Sequence, residues 1–403
     1  MTNIKPTAKN LEDVREMNLS MVIKLLQKMK VCSRAEIAKA SGLRQSTITN
    51  IINELIECGL VEETGNIEGC KGRRSIGITL KGENFKVLAI RLSRKCFMVG
   101  CFDINGKEYD ITIRAVNQDQ SVEEVMVEME NIASDIMKHT SGTILAIGIA
   151  VPGPVILSEE RIALVTGKVG WKNIRFRERF QQRFGIPVYI EHDANAGALA
   201  EWWFGHNRME RGTHMYVAAG QGIGAGITLD GKVMHGSMGV AGEIGHMSIN
   251  CNGPRCQCGN RGCLELYASV SAMVKRINDG IDQGGITSLR RDSTVHQIAR
   301  AMEMGDPLAV QAFDETAEFL GFGLSQMINL YNPDVIVIGD EFTIMGERLL
   351  EIIRETIRKY TLSELSDKLE IRFTSFERDP ALIGAAALAV EKVLKKPTAI
   401  LEK

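Results

Sequence analysis

Cys256-Gln-Cys258-Gly-Asn-Arg-Gly-Cys263-Leu-Glu265, preceded by Gly242-Glu243-Ile-Gly-His246, is the stretch on which the reading of this 403-residue chain turns. Three thiols and one imidazole at short spacing suffice for a closed tetrahedral zinc site; the alternative, unrelated buried thiols, is disfavoured by how specific the spacing is. Gly259 and Gly262 allow the tight turns that aim all three thiols at one point. Glu243 lies three residues before His246, and Glu265 two after Cys263. A metal held by His246, Cys256, Cys258 and Cys263 would therefore fix two carboxylates in space. The expectation is a structural zinc that shapes a binding pocket.

The remaining cysteines agree. Nine are present, an odd number, and those outside residues 251–263 are scattered singly, which is not a disulfide framework. Lys5, Lys9, Glu12 and Asp13 interrupt any apolar leader, and no uninterrupted apolar run is long enough to cross a bilayer. The expectation is a cytoplasmic protein with no membrane insertion. The length suits two or three domains. Residues 1–80 carry 12 Lys and Arg against 9 Asp and Glu, a net +3; with −2 overall, −5 is left for the remainder. That mild basic bias does not by itself argue for nucleic acid.

The pattern inside residues 1–80 does. Leu19, Val22, Ile23, Leu25, Leu26 and Met29 recur at helical spacing. Ser33-Arg-Ala-Glu36 reads as a capping box that opens a short helix ending at Ser41-Gly42. A third helix, from Gln45 to about Cys58, carries an apolar stripe of Ile48, Ile51, Ile52, Leu55 and Ile56. Helix, glycine turn, helix is the helix-turn-helix signature. The polar start of the third helix, Arg44, Gln45, Ser46, Thr47, Thr49 and Asn50, has side chains suited to base edges and phosphates. Residues 60–64 and 75–80 read as a two-stranded wing, whose loop brings Lys71, Arg73 and Arg74 to the DNA backbone or minor groove. A packing module with a solvated basic loop is the alternative.

Residues 85–403 alternate strand-like and helix-like segments, an α/β pattern with several crossovers. Here the cysteine cluster, the Gly-Glu-Ile-Gly-His run, His192-Asp193-Ala194-Asn195-Ala196 and Gly220-Gln-Gly222-Ile-Gly224-Ala-Gly226 resemble the ROK family of sugar kinases and sugar-responsive repressors. The resemblance implies an actin-like (ribonuclease H-like) two-lobed α/β domain behind an N-terminal winged helix-turn-helix. That layout is similar to the family's repressor branch, which includes xylose and N-acetylglucosamine repressors. The implied boundaries are 1–80 for the DNA-binding domain and 81–403 for the sugar-binding domain. Within the latter, the small lobe spans about 85–195 plus a C-terminal helix of about 382–398, and the large lobe about 196–381.

The resemblance further implies that His246, Cys256, Cys258 and Cys263 hold zinc. Glu243, His246 and Glu265 would meet sugar hydroxyls. Asp193 stands at the kinase position that takes a proton from the hydroxyl being phosphorylated. In a protein that only binds, it becomes a plain hydroxyl acceptor. His192 and Lys168 stand where Asn is common in the family, near the ligand, which admits a sugar or a sugar phosphate. Trp171 could stack on a pyranose or anchor the core.

The nucleotide side departs from the family. Arg91-Leu-Ser-Arg94-Lys95 replaces the kinases' Asp-x-Gly-Gly-Thr loop, Gln221 replaces a Thr, and Gly339-Asp340-Glu341 replaces a glycine-rich loop. The first lacks both the metal-holding Asp and the glycines that admit phosphate. Arg91, Arg94 and Lys95 could bind an anion or form a charged strand end in solvent. The reading is a non-enzymatic, sugar-responsive repressor, with an ATP-dependent sugar kinase as the competing class. Its expected partners are double-stranded operator DNA, a small sugar or sugar-phosphate effector, and a second copy in a homodimer, with tetramers left open.

Overall fold

The computed structural model describes residues 10–68, 74–117, 119–156, 159, 161–162, 170–171, 174–205 and 211–401. The chain begins with a three-helix head: α1 (Leu11–Met29), β1 (Val31–Cys32), α2 (Arg34–Ser41), α3 (Gln45–Glu57), β2 (Val61–Glu68) and β3 (Arg74–Leu80). α1 starts earlier than its apolar stripe because Asn10 and Asp13 close a reciprocal capping box. The box at α2 is equally complete: Ser33 Oγ accepts from Glu36 N at 3.3 Å, and Ser33 N donates to Glu36 Oε2 at 2.8 Å. Gly42, at φ +72°, then turns the chain into α3. β2 and β3 form the expected hairpin, and β1 adds a third strand beside β3 that two residues give no sequence signal for. Leu19, Ile23, Leu26, Ile37, Ile48 and Ile52 are fully buried in the head's core.

Next come β4 (Phe85–Leu92), β5 (Cys96–Asp103), β6 (Glu108–Ala115), α4 (Val122–His139), β7 (Thr143–Val151), the short pair β8 (Val155–Ile156) and β9 (Arg161–Ile162), α5 (Phe176–Phe184), β10 (Val188–His192) and α6 (Asp193–Phe204). The rest comprises β11 (Thr213–Ala219), β12 (Ile223–Leu229), β13 (Lys232–Val233), α7 (Glu265–Ala268), α8 (Val270–Asp282), α9 (Val295–Glu303), α10 (Pro307–Tyr331), β14 (Val335–Gly339), α11 (Glu347–Tyr360), α12 (Ser363–Ser366), β15 (Glu370–Phe373), α13 (Pro380–Lys395) and α14 (Thr398–Leu401). Two five-stranded sheets result, ordered β10-β7-β4-β5-β6 and β13-β12-β11-β14-β15. Each has one central strand, β4 or β11, with an antiparallel hairpin partner on one side and a parallel strand on the other. The same half-fold is therefore built twice, the duplication expected of a ribonuclease H-like chain.

α6 and α13 lie side by side, and α13 also packs on β4 and β7. A Cβ on Gly384 would collide with the Ala196 carbonyl oxygen, and one on Gly148 with that of Ala385, so glycine is what lets these backbones meet. At its far end α13 reaches the head: Leu394 and Ile400 share one apolar cluster with Leu19, Val22 and Leu26, and Thr398 Oγ1 donates to Glu16 at 2.8 Å. Gln27 Nε2 donates to the Ile104 carbonyl at 3.2 Å from the other side. Trp171 is a core anchor, 3% exposed and stacked on Phe176 at 6.0 Å. Among the described residues no helix is long and apolar enough to cross a membrane.

Candidate functional site

The ends of β4, β10, β11 and β14 face one cleft of about 280 Å³, near the lower end for small-molecule sites and suited to a monosaccharide. Asp193, His192, Glu243, His246 and Glu265, which sequence reasoning put near a ligand, all line it. Lys168 lies outside the described residues. His192 ends β10 as the N-cap of α6, and Asp193 is that helix's first residue, where the helix dipole favours a carboxylate. The glycines of 220–226 serve this placement. Gly224 and Gly226 sit on β12 against Ala194, so no side chain keeps the N-terminus of α6 away.

Arg91 does not face solvent, nor is it free to take an anion. It is 7% exposed. Its Nη2 lies 3.0 Å from Asp193 Oδ2, its Nε lies 3.4 Å from Asp379 Oδ2, and Nη1 donates to the Leu92 carbonyl. The other Asp193 oxygen is 3.0 Å from His192 Nε2. Burial alone would raise the Asp193 pKa, but Arg91 and then His192 outweigh it and hold the carboxyl well below the usual range. For His192, burial opposes the charged ring, yet Asp193 and Glu243 prevail and its pKa is raised. Glu243 moves the other way: burial raises it against the pull of His192 and His246. Its Oε1 is a buried acceptor with no hydrogen-bond donor, and its residue lines the cleft. A ligand hydroxyl would satisfy it.

The metal-binding candidates converge. One ligand atom each from His246, Cys256, Cys258 and Cys263 lies within 4.8 Å of the others. Cys258 Sγ and Cys263 Sγ are 3.6 Å apart, and Cys256 Sγ is 3.9 Å from His246 Nδ1. Two thiolates on a tetrahedral zinc with Zn–S near 2.3 Å stand about 3.8 Å apart, so the set fits that ion. Burial, followed by the neighbouring Cys258 and Cys256 thiols, pushes the Cys263 thiol up to about 12, a direction that a bound cation would oppose. With Nδ1 toward the thiols, Nε2 is the His246 nitrogen left for the cleft. Glu265 follows Cys263 closely and accepts from Ile223 N at 3.1 Å, which ties the cysteine loop to the β11–β12 turn.

On the nucleotide side, Gln221 Nε2 donates to Glu341 Oε2 at 2.5 Å, and Lys95 Nζ sits 3.4 Å from Glu341 Oε1. Burial of its carboxyl, then Asp379, pushes Asp340 up to about 6. Sequence reasoning missed Asp379, although Asp379-Pro380 is a readable helix start with Pro at the first position. It also missed Glu191, 3% exposed, which accepts from Asn195 at 3.0 Å and meets His235 Nε2 at 2.7 Å. A buried carboxylate inside a strand leaves no periodic signal.

In the head, Arg44, Gln45, Ser46 and Asn50 are exposed at the start of α3, and Thr47 and Thr49 are half-buried there. Thr49 Oγ1 donates to the Gln45 carbonyl at 2.9 Å. Lys71 and Arg73 lie outside the described residues, and Arg74 opens β3.

The family model described as "ROK family" matches residues 87–392. The xylose repressor of Caldicellulosiruptor bescii is 30% identical over 392 residues, covering 95% of this chain and 98% of its own. The DNA-binding transcriptional dual regulator NagC of Escherichia coli strain K12 is 30% identical, covering 96% of this chain and 95% of its own. Among solved structures, a ROK family transcriptional regulator described as a homologue of the E. coli MLC protein superposes with TM-score 0.82 at 28% identity, over 97% of this chain and 100% of that one. A ROK family glucokinase from Streptomyces griseus, solved with glucose and AMPPNP, reaches TM-score 0.64 at 26% identity, over 75% of this chain and 98% of that one.

Proposed function

The chain belongs to the ROK family, and on that premise we propose that it is a sugar-responsive transcriptional regulator, a repressor of carbohydrate-uptake or catabolic genes. One observation carries the reading. A helix-turn-helix head with an open α3 N-terminus is docked onto the cleft-bearing domain, and relatives named as a repressor and as a DNA-binding transcriptional regulator cover 95% or more of the chain, whereas the glucokinase covers 75% of it. In this reading residues 1–80 bind an operator and residues 81–403 bind the effector. Arg44, Gln45, Ser46, Thr47, Thr49 and Asn50 enter the major groove, and Lys71, Arg73 and Arg74 reach the backbone or minor groove. A homodimer presents two heads to paired half-sites.

The effector is a small sugar or its phosphate. Asp193, Glu243, His246 and Glu265 accept or donate to its hydroxyls, with His192 and Lys168 beside them. The orphaned Glu243 oxygen supports this. A zinc ion on His246, Cys256, Cys258 and Cys263 is a structural staple that holds His246 and Glu265 in place. Phosphoryl transfer is not part of this chain's work. The Arg91 guanidinium occupies the Asp193 carboxylate that a kinase would use as base, and the Ser93-Arg94-Lys95 turn that follows it carries no glycine to admit a triphosphate.

A thermal-shift screen of the protein with D-xylose, D-glucose, N-acetylglucosamine, their phosphates, and ATP with magnesium tests the reading. A shift with one sugar and none with ATP is expected. An ATP shift with ADP release far above background would overturn it in favour of a sugar kinase carrying a DNA-binding head. Arg44→Ala should weaken binding to a duplex selected from a random pool by about tenfold or more, and leave the sugar shift intact.

A further inference from the structure

Arg91 stands where the cleft meets the helix frame. It is the penultimate residue of β4, the strand that follows directly from the head's last strand, β3. Its guanidinium spans two carboxylates that open adjacent helices: Asp193 at the first residue of α6, and Asp379 at the N-cap of α13. Asp379 holds the helix with its other oxygen, Oδ1, which accepts from Ala381 N at 2.8 Å. Both oxygens of Asp193 are already engaged, one by Arg91 and one by His192. A hydroxyl donated to Asp193 must therefore share an oxygen with Arg91 or with His192.

We propose that Arg91 is the positioning residue that couples occupancy of the cleft to α13, and through α13 to the DNA-binding head; this rests on the sugar-responsive reading above. When a sugar hydroxyl takes its share of Asp193 Oδ2, the guanidinium loses attraction on that side. It then leans toward Asp379, with Asp340 also acting on it. The helix that receives this pull cannot yield locally, because its backbone is pressed against α6 at Gly384 and against β7 at Gly148. α13 therefore responds as a rod. Its 16 residues span about 24 Å at 1.5 Å per residue. Its end and the following α14 pack on α1 through Leu394, Ile400 and the Thr398–Glu16 hydrogen bond. The effector thus acts by altering how one buried cation is divided between two helix N-termini, a differential contact of the kind allosteric coupling requires.

The test measures a ratio, not an affinity: binding of the pool-selected duplex with and without saturating D-xylose, or whichever sugar of the panel shifts the protein. Wild type should give a ratio in the range of about 5- to 150-fold. Asp379→Asn keeps a good N-cap but removes the charge that competes for Arg91, and should bring the ratio within about twofold of unity while both ligands still bind. Arg91→Gln should do the same, and Arg91→Lys should recover part of the ratio. If Arg91→Gln does not fold, because it leaves Asp193 and Asp379 without the cation between them, Asp379→Asn alone decides. Folded variants that keep the wild-type ratio would overturn the proposal and leave the sugar-responsive reading standing. A wild-type ratio of one, with sugar and duplex both bound, would instead remove that reading and the coupling with it.

Discussion

The two halves of the cleft-bearing domain share one strand order but turn their central hairpins with opposite materials. β4 passes to β5 through Ser93-Arg94-Lys95, where Ser93 N donates to the Cys96 carbonyl at 2.8 Å and side chains fill the turn. β11 passes to β12 through Gly220-Gln221-Gly222, where Gly220 N donates to the Gly222 carbonyl at 3.0 Å and the backbone lies nearly bare. A Cβ on Gly220 would come 2.6 Å from Asp340 Oδ2, and one on Gly222 the same distance from Glu265 Oε2. The second turn is kept free of side chains so that two carboxylates can approach it. In the first, the corresponding space holds cations. One fold unit has been used once as a backbone cradle and once as an electrostatic plug.

The cradle half adjoins the His246, Cys256, Cys258 and Cys263 corner, so the largest effect should come from removing the zinc proposed there. Chelation would take the ion from these ligands, and Cys263→Ser would remove one of the four. A loss of about 3 kcal/mol or more, on the order of 10 °C in Tm, is expected from the folding energy that structural zinc supplies. Sugar-induced stabilisation should disappear with it, because Glu265 and His246 would no longer be fixed. Duplex binding by the head should persist. Metal content by emission spectroscopy, followed by calorimetry with and without chelator, reads this directly. Unchanged stability in a demonstrably metal-free protein would mean that hydrogen bonds alone hold the cradle.

That corner was legible in the sequence because thiol ligands must be close in the chain as well as in space, and His246, Cys256, Cys258 and Cys263 meet both conditions. The head was legible for a similar reason, since Ser33-x-x-Glu36 and Gly42 are local devices. Arg91 was not. Its partners, Asp193 and Asp379, lie far from it in the chain, and an arginine at a strand end reads as solvated until the tertiary fold closes over it. Trp171 was open in the sequence: a Trp after Gly suits a sugar face or a core, and only the packing on Phe176 decides.

Asp340 is the exception that sharpens the contrast. It adopts φ +69° and ψ −162°, a region that is essentially glycine's, and it does so in the half of the molecule where backbone lines the cleft. Asp340→Gly should therefore stabilise the protein by about 1–3 kcal/mol through relief of strain alone. The pH dependence separates a second contribution. Its carboxyl is raised to about 6 in the folded chain, against about 3.9 unfolded, so the folded state holds its proton more tightly. The stability this group contributes is present below about pH 4 and is lost as pH rises through 6. The gain from the glycine variant should be larger at pH 7 than at pH 4. An equal gain at both would leave strain as the whole effect; no gain at either would remove both terms.

Gly222→Ala tests the cradle without touching the metal. The new methyl would meet Glu265 Oε2 and, at 3.2 Å, Arg94 Nη2. Arg94 is exposed and can swing away, whereas Glu265 is held by Ile223 N and by its closeness to Cys263. The carboxylate should be displaced by a few tenths of an ångström or more, and effector affinity should fall about tenfold, which is about 1.4 kcal/mol. Titration calorimetry with the responsive sugar gives the number. Ser93→Gly, the reverse change in the opposite turn, should leave that affinity within about twofold, because Ser93 Oγ, although at the cleft wall, is taken up by its own turn, bonding to Cys96 at 2.7 and 3.0 Å. If both variants lose affinity equally, the two turns are not specialised.

The smallest effect should be at the rim, where both turns reach Glu341. Lys95 of the plug turn faces Glu341, which Gln221 of the cradle turn also holds. The pair resembles a latch between halves, yet the Lys95 side chain is 68% exposed, and its ammonium competes with water at 3.4 Å. Exposed pairs of this kind contribute about 0–1 kcal/mol and are screened by salt. Lys95→Met should accordingly change stability by less than about 0.5 kcal/mol, and the difference should vanish at high ionic strength. Gln221→Ala removes a shorter contact to the same carboxylate, one within the cradle half itself, and should cost more than Lys95→Met. The reverse order would mean that a charged contact between the halves, not the packed helices α6 and α13 behind the cleft, sets how they meet.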